Sequence, residues 1–253
     1  MTAFALKIIA VVSMLLDHLF KAGLFGQRQL MDWFGLSLGS SYRIVQIIEP
    51  LGRLAFPIYA YFIAEGCRHT RSRKKYILRL LAFGVISELP FDIASNVLRQ
   101  PWYAAFTPFS HMNVFFTLAL GALGITLYDL LRGKGKEWPI ACLPAAACAI
   151  VAELFQTDYF VFGPLMIYAA YFPRTKAARF AAMAGVNALI YLGYYTSWGQ
   201  NITVNALIYL VASCVPMALL ALYNGRRGRN VKWFFYAVYP AHLTLYMLLK
   251  LAR

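Results

Sequence analysis

Long apolar segments alternate with short polar ones along the whole chain. A segment of about 20 apolar residues can cross a bilayer as a helix, and helices satisfy their own backbone polar groups in lipid. The pattern predicts an all-α, polytopic transmembrane helical bundle of about nine spans. The predicted spans are residues 3–25, 44–66, 75–97, 111–132, 138–155, 158–172, 179–196, 202–223 and 233–251.

The fifth and sixth predicted spans are shorter than the others. Residues 155–159, with the sequence FQTDY, form a tight link between them. Two short apolar segments joined in this way could instead form a re-entrant pair. The predicted number of spans is therefore eight to ten, and the fold class is the same in either case.

Composition supports a membrane protein. Hydrophobic residues make up 61% of the 253 residues and charged residues only 13%, whereas soluble domains contain about 25% charged residues. No polar segment is long enough to form a core of its own, so we predict one membrane domain over residues 1–253. Because Asp17 and His18 interrupt the first apolar segment, we expect it to be an uncleaved span rather than a signal peptide.

The net charge of +14 is concentrated in alternate loops. This distribution indicates contact with lipid head groups rather than with nucleic acid. The opposite loops hold only Arg28, Arg43, Arg99, Lys250 and Arg253. The positive-inside rule then predicts a cytoplasmic N-terminus. The sixteen residues of the basic loops are Arg68, Arg71, Arg73, Lys74, Lys75, Arg79, Arg132, Lys134, Lys136, Arg174, Lys176, Arg179, Arg226, Arg227, Arg229 and Lys232.

Ionisable residues inside the predicted spans are candidates for function, because a charge at bilayer depth costs about 2.5–3.5 kcal/mol. In the predicted orientation His18 lies roughly 22 Å from the inner face. Several other ionisable residues fall in the same outer half of the bundle. This set is Asp17, Arg53, Glu88, Asp92 and His242.

Two interpretations of these residues are open. They could join helices through structural polar contacts, and Glu49 and Arg53, four residues apart, could form a local ion pair. They could also share one cavity in which His18 acts as a general base. A base of this kind needs an orienting partner, and Asp17, Glu88 or Asp92 could supply the carboxylate.

A second cluster of polar residues follows the second predicted span. Its cations could serve as a topological signal in contact with lipid head groups, or they could bind an anionic cofactor such as coenzyme A. The four cysteines have no metal-ligand spacing, and we predict no metal site. The basic block comprises Arg68, His69, Arg71, Arg73, Lys74 and Lys75.

Four stretches of the chain resemble the TraX family of conjugative-pilin acetylases, in matching order. They are LKIIAVVSMLLDH, RLAFPIYAYFIAEGCRHTRSRKKYILRL, ISELPFD and WFFYAVYPAHL. The resemblance implies a multi-pass protein of the bacterial inner membrane. It also implies acetyl-CoA as donor and the N-terminal amine of a pilin-like protein as acceptor at the outer face.

The residues that match the family's motifs are our candidates for the roles that such a transfer needs. His18, in the DH pair with Asp17, is the expected general base or transient acyl carrier. Arg53 or His242 would stabilise the oxyanion, and the basic block would bind acetyl-CoA. Three alternatives stay open, namely acetylation of an envelope glycan, proton-coupled transport, and a non-catalytic role in envelope assembly.

Overall fold

The computed structural model describes residues 1–94, 111–194 and 204–252, and these ranges contain helices and no strand. Within these ranges each predicted span overlaps at least one helix. The elements are α1 Ala3–Lys21, α2 Gln27–Phe34, α3 Leu38–Ile48, a 3₁₀ helix Glu49–Leu54, α4 Ala55–His69, α5 Arg73–Ala94, α6 Val114–Gly133, α7 Trp138–Leu154, α8 Phe162–Tyr171, α9 Lys176–Ala188, a π-helix Leu189–Tyr194, α10 Val204–Ala221 and α11 Lys232–Leu251.

Among the described residues, four helical segments are long and apolar enough to cross a membrane, namely Ala3–Lys21, Leu38–His69, Val114–Gly133 and Val204–Ala221. The all-helical class is therefore confirmed for the described ranges, whereas nine spans and the orientation stay predictions. Parts of the predicted spans at 95–97, 195–196 and 202–203, with Arg99 and Arg253, lie outside the described residues.

Two features refine the predicted helices. α7 and α8 are separate helices, and Gln156, Tyr159 and Phe160 adopt positive φ angles in the link between them. The short helix α2 was not predicted from the apolar pattern. Its eight residues are too few and too polar for that signal, and it ends at Gly35 in the left-handed conformation.

The chain divides into two compact units. Unit 1 comprises Met1–Ile58, Leu89–Ala105 and Asn187–Arg253, and unit 2 comprises Tyr59–Glu88 and Phe106–Val186. The single membrane domain stays a prediction.

In unit 1 the 3₁₀ helix packs against α1, α3 and α10, and α1 also packs against α11. The Ser13 hydroxyl donates to the carbonyl oxygens of Leu51 and Gly52, at 2.7 and 3.0 Å. A Cβ atom at Gly52 would lie only 2.7 Å from the Cβ atom of Asp17. Glycine at this position therefore allows the 3₁₀ helix to approach α1 closely.

In unit 2, α6 packs against α7 and α8. Glycine makes this approach possible, since a Cβ atom at Gly121 would overlap the Ile167 side chain. The Tyr168 hydroxyl donates to the Ala145 carbonyl at 3.0 Å and so joins α8 to α7. The Asn113 side chain caps the beginning of α6.

Candidate active site

Asp17 is a buried carboxylate between two cations in unit 1. Lys21, one turn later on α1, places its Nζ atom 2.9 Å from Asp17. A terminal nitrogen of Arg53, from the 3₁₀ helix, lies 3.0 Å from the other carboxylate oxygen. The Asp17 side chain thus joins α1 to the 3₁₀ helix. A buried ion pair of this kind is costly to break, because the partner charge remains in a low-dielectric environment.

The local ion pair that Glu49 and Arg53 could form is not found among the described residues. In an α-helix, residues four apart lie on one face, but a 3₁₀ helix has three residues per turn. Residues four apart in the Glu49–Leu54 helix are therefore about 120° apart. Arg53 instead reaches Asp17, and its guanidinium also lies over the Tyr209 ring, 5.4 Å from the centroid.

His18 and His242 form a buried pair of imidazoles in unit 1. The Nδ1 atom of His18 lies 2.7 Å from the Nε2 atom of His242, although the residues are 224 positions apart in sequence. The two side chains are 5% and 6% exposed, and their ring planes differ by 18°. Tyr239 and Tyr246 contact His242 edge-on, and the Tyr246 hydroxyl donates to the Leu15 carbonyl at 3.2 Å.

The hydrogen bonds determine which ring nitrogens carry protons when both rings are neutral. Nδ1 of His242 lies 2.7 Å from the Val238 carbonyl oxygen, which can only accept, so this nitrogen must donate. Nε2 of His242 then accepts a hydrogen bond from Nδ1 of His18. Nε2 of His18 is left with its lone pair, and no described residue forms a hydrogen bond with it. This nitrogen can act as a base or a nucleophile.

The predicted carboxylate partner of His18 is not found among the described residues, because His242 makes the hydrogen bond to its ring. Asp17 pairs with Lys21 and Arg53 instead. Asp92 belongs to unit 1 and is buried.

Glu88 lies in unit 2, where it supports the start of α6. Its carboxylate accepts from the backbone N–H of Asn113 at 3.1 Å and from the Asn113 side-chain amide. This arrangement gives Glu88 a structural partner within its own unit.

The basic block of unit 2 contains two arginines with structural partners. Arg68 donates to Glu65 at 2.6 Å and to the Ala170 carbonyl at the end of α8 at 3.2 Å. Arg73 forms an ion pair with Asp129 at 2.7 Å. Arginine near a helix C-terminus satisfies carbonyls that have no partner within the helix.

The other residues of the block are exposed. Arg71, Lys74 and Lys75 form no ion pair within the part of the chain that the structure describes. His69 is 71% exposed and lies 3.4 Å from Glu65. The donors that remain available to an anionic ligand are therefore mainly those of Arg71, Lys74 and Lys75.

Sequence reasoning did not assign roles to Lys21, Gly52, Tyr239 or Tyr246. Helical spacing could have indicated three of them, since Lys21 is four residues after Asp17, and Tyr239 and Tyr246 flank His242 at three and four residues. Within the described ranges, no group of three histidine, cysteine or acidic residues is placed to hold a metal ion.

Comparison with known proteins agrees with the sequence resemblance. The model of the family described as TraX protein matches residues 3–250. The chain is 28% identical over 256 residues to the probable fimbrial assembly protein FimC, serogroup H1, of Dichelobacter nodosus, an alignment covering 96% of this chain and 93% of that protein. No solved structure matches the chain. Because the family model spans nearly the whole chain, the protein belongs to the TraX family.

Proposed function

We propose that the protein is an integral-membrane acetyltransferase that moves an acetyl group from acetyl-CoA to an amine in the cell envelope. The observation that supports this function is the His18–His242 hydrogen bond, which leaves Nε2 of His18 as a base. An amine must be deprotonated to act as a nucleophile, and an imidazole positioned by a second group is suited to this step.

The proposed transfer uses the residues of unit 1. The acceptor nitrogen attacks the thioester carbonyl carbon and its proton passes to Nε2 of His18. The carbon–sulfur bond then breaks, and the coenzyme A thiolate leaves and takes up that proton. If His18 is instead a transient acyl carrier, its Nε2 attacks the thioester carbon and the coenzyme A thiolate leaves. The acceptor nitrogen then attacks the acetyl group, the bond to Nε2 breaks, and the proton of the acceptor nitrogen passes through Nε2 to the thiolate.

Arg53 is the residue that we propose to stabilise the oxyanion of the intermediate. Both ring nitrogens of His242 are already used, because Nδ1 donates to Val238 and Nε2 accepts from His18. A guanidinium has five N–H donors and can pair with Asp17 while it presents others to a substrate. This assignment selects one of the two residues named from the sequence.

The phosphates of acetyl-CoA are proposed to bind to Arg71, Lys74 and Lys75. These side chains are exposed at or beside the beginning of α5, a helix end where backbone N–H groups and positive charge favour anions. Arg68 and Arg73 would shape this surface through their contacts with α8 and Asp129.

The acceptor is proposed to be the amino terminus of a pilin-like protein. The support is membership of the TraX family and a relative named as a probable fimbrial assembly protein. We place the protein in the bacterial inner membrane with nine spans and a cytoplasmic N-terminus, on the basis of the uneven loop charge. The donor would then arrive from the cytoplasm and the acceptor from the envelope.

Purified protein in lipid nanodiscs, given acetyl-CoA with a labelled acetyl group, tests the function. We expect label on the N-terminal amine of a pilin-like peptide. Label found only on an envelope glycan would show that the acceptor is a glycan and not a pilin-like protein. Proton flux in proteoliposomes without transfer would indicate a carrier, and absence of both transfer and acetyl-CoA binding would indicate an assembly factor.

Substitutions at His242 test whether it positions His18. His242→Ala removes the hydrogen-bond acceptor for Nδ1 of His18, and we expect kcat to fall by about 100-fold, the effect of misplacing a catalytic group. His242→Gln keeps an acceptor oxygen, so it should recover much of this loss. KM for acetyl-CoA should be unchanged in both variants. If kcat falls equally in the two variants, or falls in neither, His242 does not position His18.

Calorimetric titration with acetyl-CoA tests the proposed donor site. Combined substitution of Arg71, Lys74 and Lys75 by glutamine should raise Kd by about 10-fold or more, because charge-assisted contacts to phosphates are lost. The matched control replaces Lys134, Lys136 and Arg174, three exposed cations of the same unit. An equal loss of affinity in the control would show that acetyl-CoA is held by general electrostatic attraction and not by a site at Arg71, Lys74 and Lys75.

A further inference from the structure

A small cavity lies in unit 1 between α10 and the segment formed by α3 and the 3₁₀ helix. Its volume is about 120 Å³, and its lining includes Tyr42, Gln46, Glu49, Asn205 and Tyr209. A cavity needs about 10–15 Å³ to hold one water molecule, so this one can take a small polar group. It is too small for a sugar ring together with its substituents or for a pantetheine chain.

The polar groups of the cavity suit a positively charged ligand. Glu49 supplies a carboxylate, and no described residue forms an ion pair or a hydrogen bond with it. The Tyr42 ring adds an aromatic group of the kind that attracts cations, whereas the Tyr209 ring already lies against the Arg53 guanidinium. The amide of Gln46 is already used, since it donates to Asn205 at 3.1 Å.

The local backbone explains why the Glu49 carboxylate is available. The 3₁₀ helix directs Arg53 to Asp17 and to the Tyr209 ring, and among the described residues Arg53 forms no ion pair with Glu49. The same change of helix type that brings Arg53 to Asp17 therefore leaves an acidic group in the cavity. A carboxylate that lines a small cavity attracts cations and repels anions.

We propose that this cavity binds the ammonium group of the acceptor before transfer. The inference rests on the proposed acetyltransferase function and names the form in which that acceptor is recognised, a primary ammonium on a short, slender chain end. The cavity and the catalytic residues share the 3₁₀ helix, which carries both Glu49 and Arg53 and packs against α1, and Arg53 lies over the Tyr209 ring of the cavity lining.

Recognition by charge also separates substrate from product. On transfer the ammonium gives up two protons. The first passes through Nε2 of His18 to solvent and leaves the free amine, and the second, released as the amide forms, passes through the same nitrogen to the coenzyme A thiolate. The product nitrogen is a neutral amide with no ammonium to pair with Glu49. Release of the acetylated product is therefore favoured, and rebinding is weak.

Binding of two synthetic peptides tests the proposal without any need for turnover. Both probes are tetra-alanine peptides with an amidated C-terminus. One has a free amino terminus, and the other has an acetylated amino terminus. The full-length protein in nanodiscs should bind the free peptide about 10- to 100-fold more tightly, the range of a hydrogen bond to a charged group. Glu49→Gln should remove this preference, whereas Asp32→Asn, an exposed carboxylate of the same unit, should retain it.

A second measurement uses only the wild-type protein, so it does not depend on whether the Glu49→Gln variant folds. Methylammonium chloride should displace the free peptide, and sodium chloride at the same ionic strength should not. Equal binding of both peptides by the wild type, or an unchanged preference in a folded Glu49→Gln variant, would overturn the proposal.

The two proposals can fail separately. If the protein transfers acetyl groups but shows no preference for the free peptide, the proposed ammonium site is wrong and the proposed acetyltransferase function stands. If the protein prefers the free peptide in a way that depends on Glu49 but transfers no acetyl group, the ammonium site stands and the proposed acetyltransferase function is wrong.

Discussion

His18→Ala is expected to lower the rate of acetyl transfer by about 10²- to 10⁴-fold, the range that a general base contributes. The substitution removes the nitrogen that takes the acceptor proton, together with the hydrogen bond to His242. Single-turnover transfer of labelled acetyl measures the effect. The melting temperature in detergent shows whether the variant is folded.

The matched control for this variant is His111→Ala, which removes a histidine of unit 2. We expect it to transfer acetyl groups at nearly the rate of the wild type. Turnover of His18→Ala close to that of the control would exclude His18 from the mechanism. Mass spectrometry of quenched wild-type protein distinguishes the two roles, because only an acyl carrier gains an acetyl group on His18.

Asp17→Ala is expected to lower the free energy of unfolding by about 3–5 kcal/mol, the cost of breaking a buried ion pair from one side. The change leaves Lys21 and Arg53 without the carboxylate that lies 2.9 and 3.0 Å from their nitrogens. Reversible unfolding in mixed detergent micelles measures the loss.

Asp32→Ala provides a close comparison for the Asp17 variant. Asp32 and Arg28 are also four residues apart on a helix, but their nearest atoms are 3.7 Å apart and the side chains are 62% and 88% exposed. Exposed pairs contribute about 0–1 kcal/mol, so this variant should unfold almost like the wild type. Similar losses in the two variants would show that burial does not set the strength of the Asp17 ion pairs.

A double variant separates the Asp17 ion pairs from packing. If the loss in Asp17→Ala arises from uncompensated cations, then Arg53→Ala in the same chain should destabilise less than the sum of the single changes. Strictly additive losses would show that Asp17 and Arg53 contribute independently. Arg53→Ala should also slow transfer, since Arg53 is proposed to stabilise the oxyanion.

The apolar pattern predicted most of the helices because segment length is a local property. The polar partners were harder to predict, and Arg53 shows why. Its pairing with Glu49 assumed an α-helix across residues 49–54, but a 3₁₀ helix replaces it there and turns Arg53 toward Asp17. A change from 3.6 to three residues per turn redirects side chains without altering hydrophobicity.

The partners of the basic block in unit 2 were equally hard to predict from the sequence. The sequence presented its six residues as one group of possible cofactor ligands. Arg68 and Arg73 are bound to a carbonyl at the end of α8 and to Asp129, partners about 100 and 56 residues away in sequence. Charge and spacing alone could not divide the structural arginines from the exposed cations.

By itself, the sequence determined that the chain is built of apolar helices, that ionisable residues interrupt them, and that it resembles the TraX family. Those properties depend on segment length, composition and local motifs. Only the tertiary structure decided that His242, rather than a carboxylate, holds His18, and that Asp17 holds Arg53. Such pairings depend on which helices pack together and on their rotation about their axes, and residues distant in sequence meet only when the chain is folded.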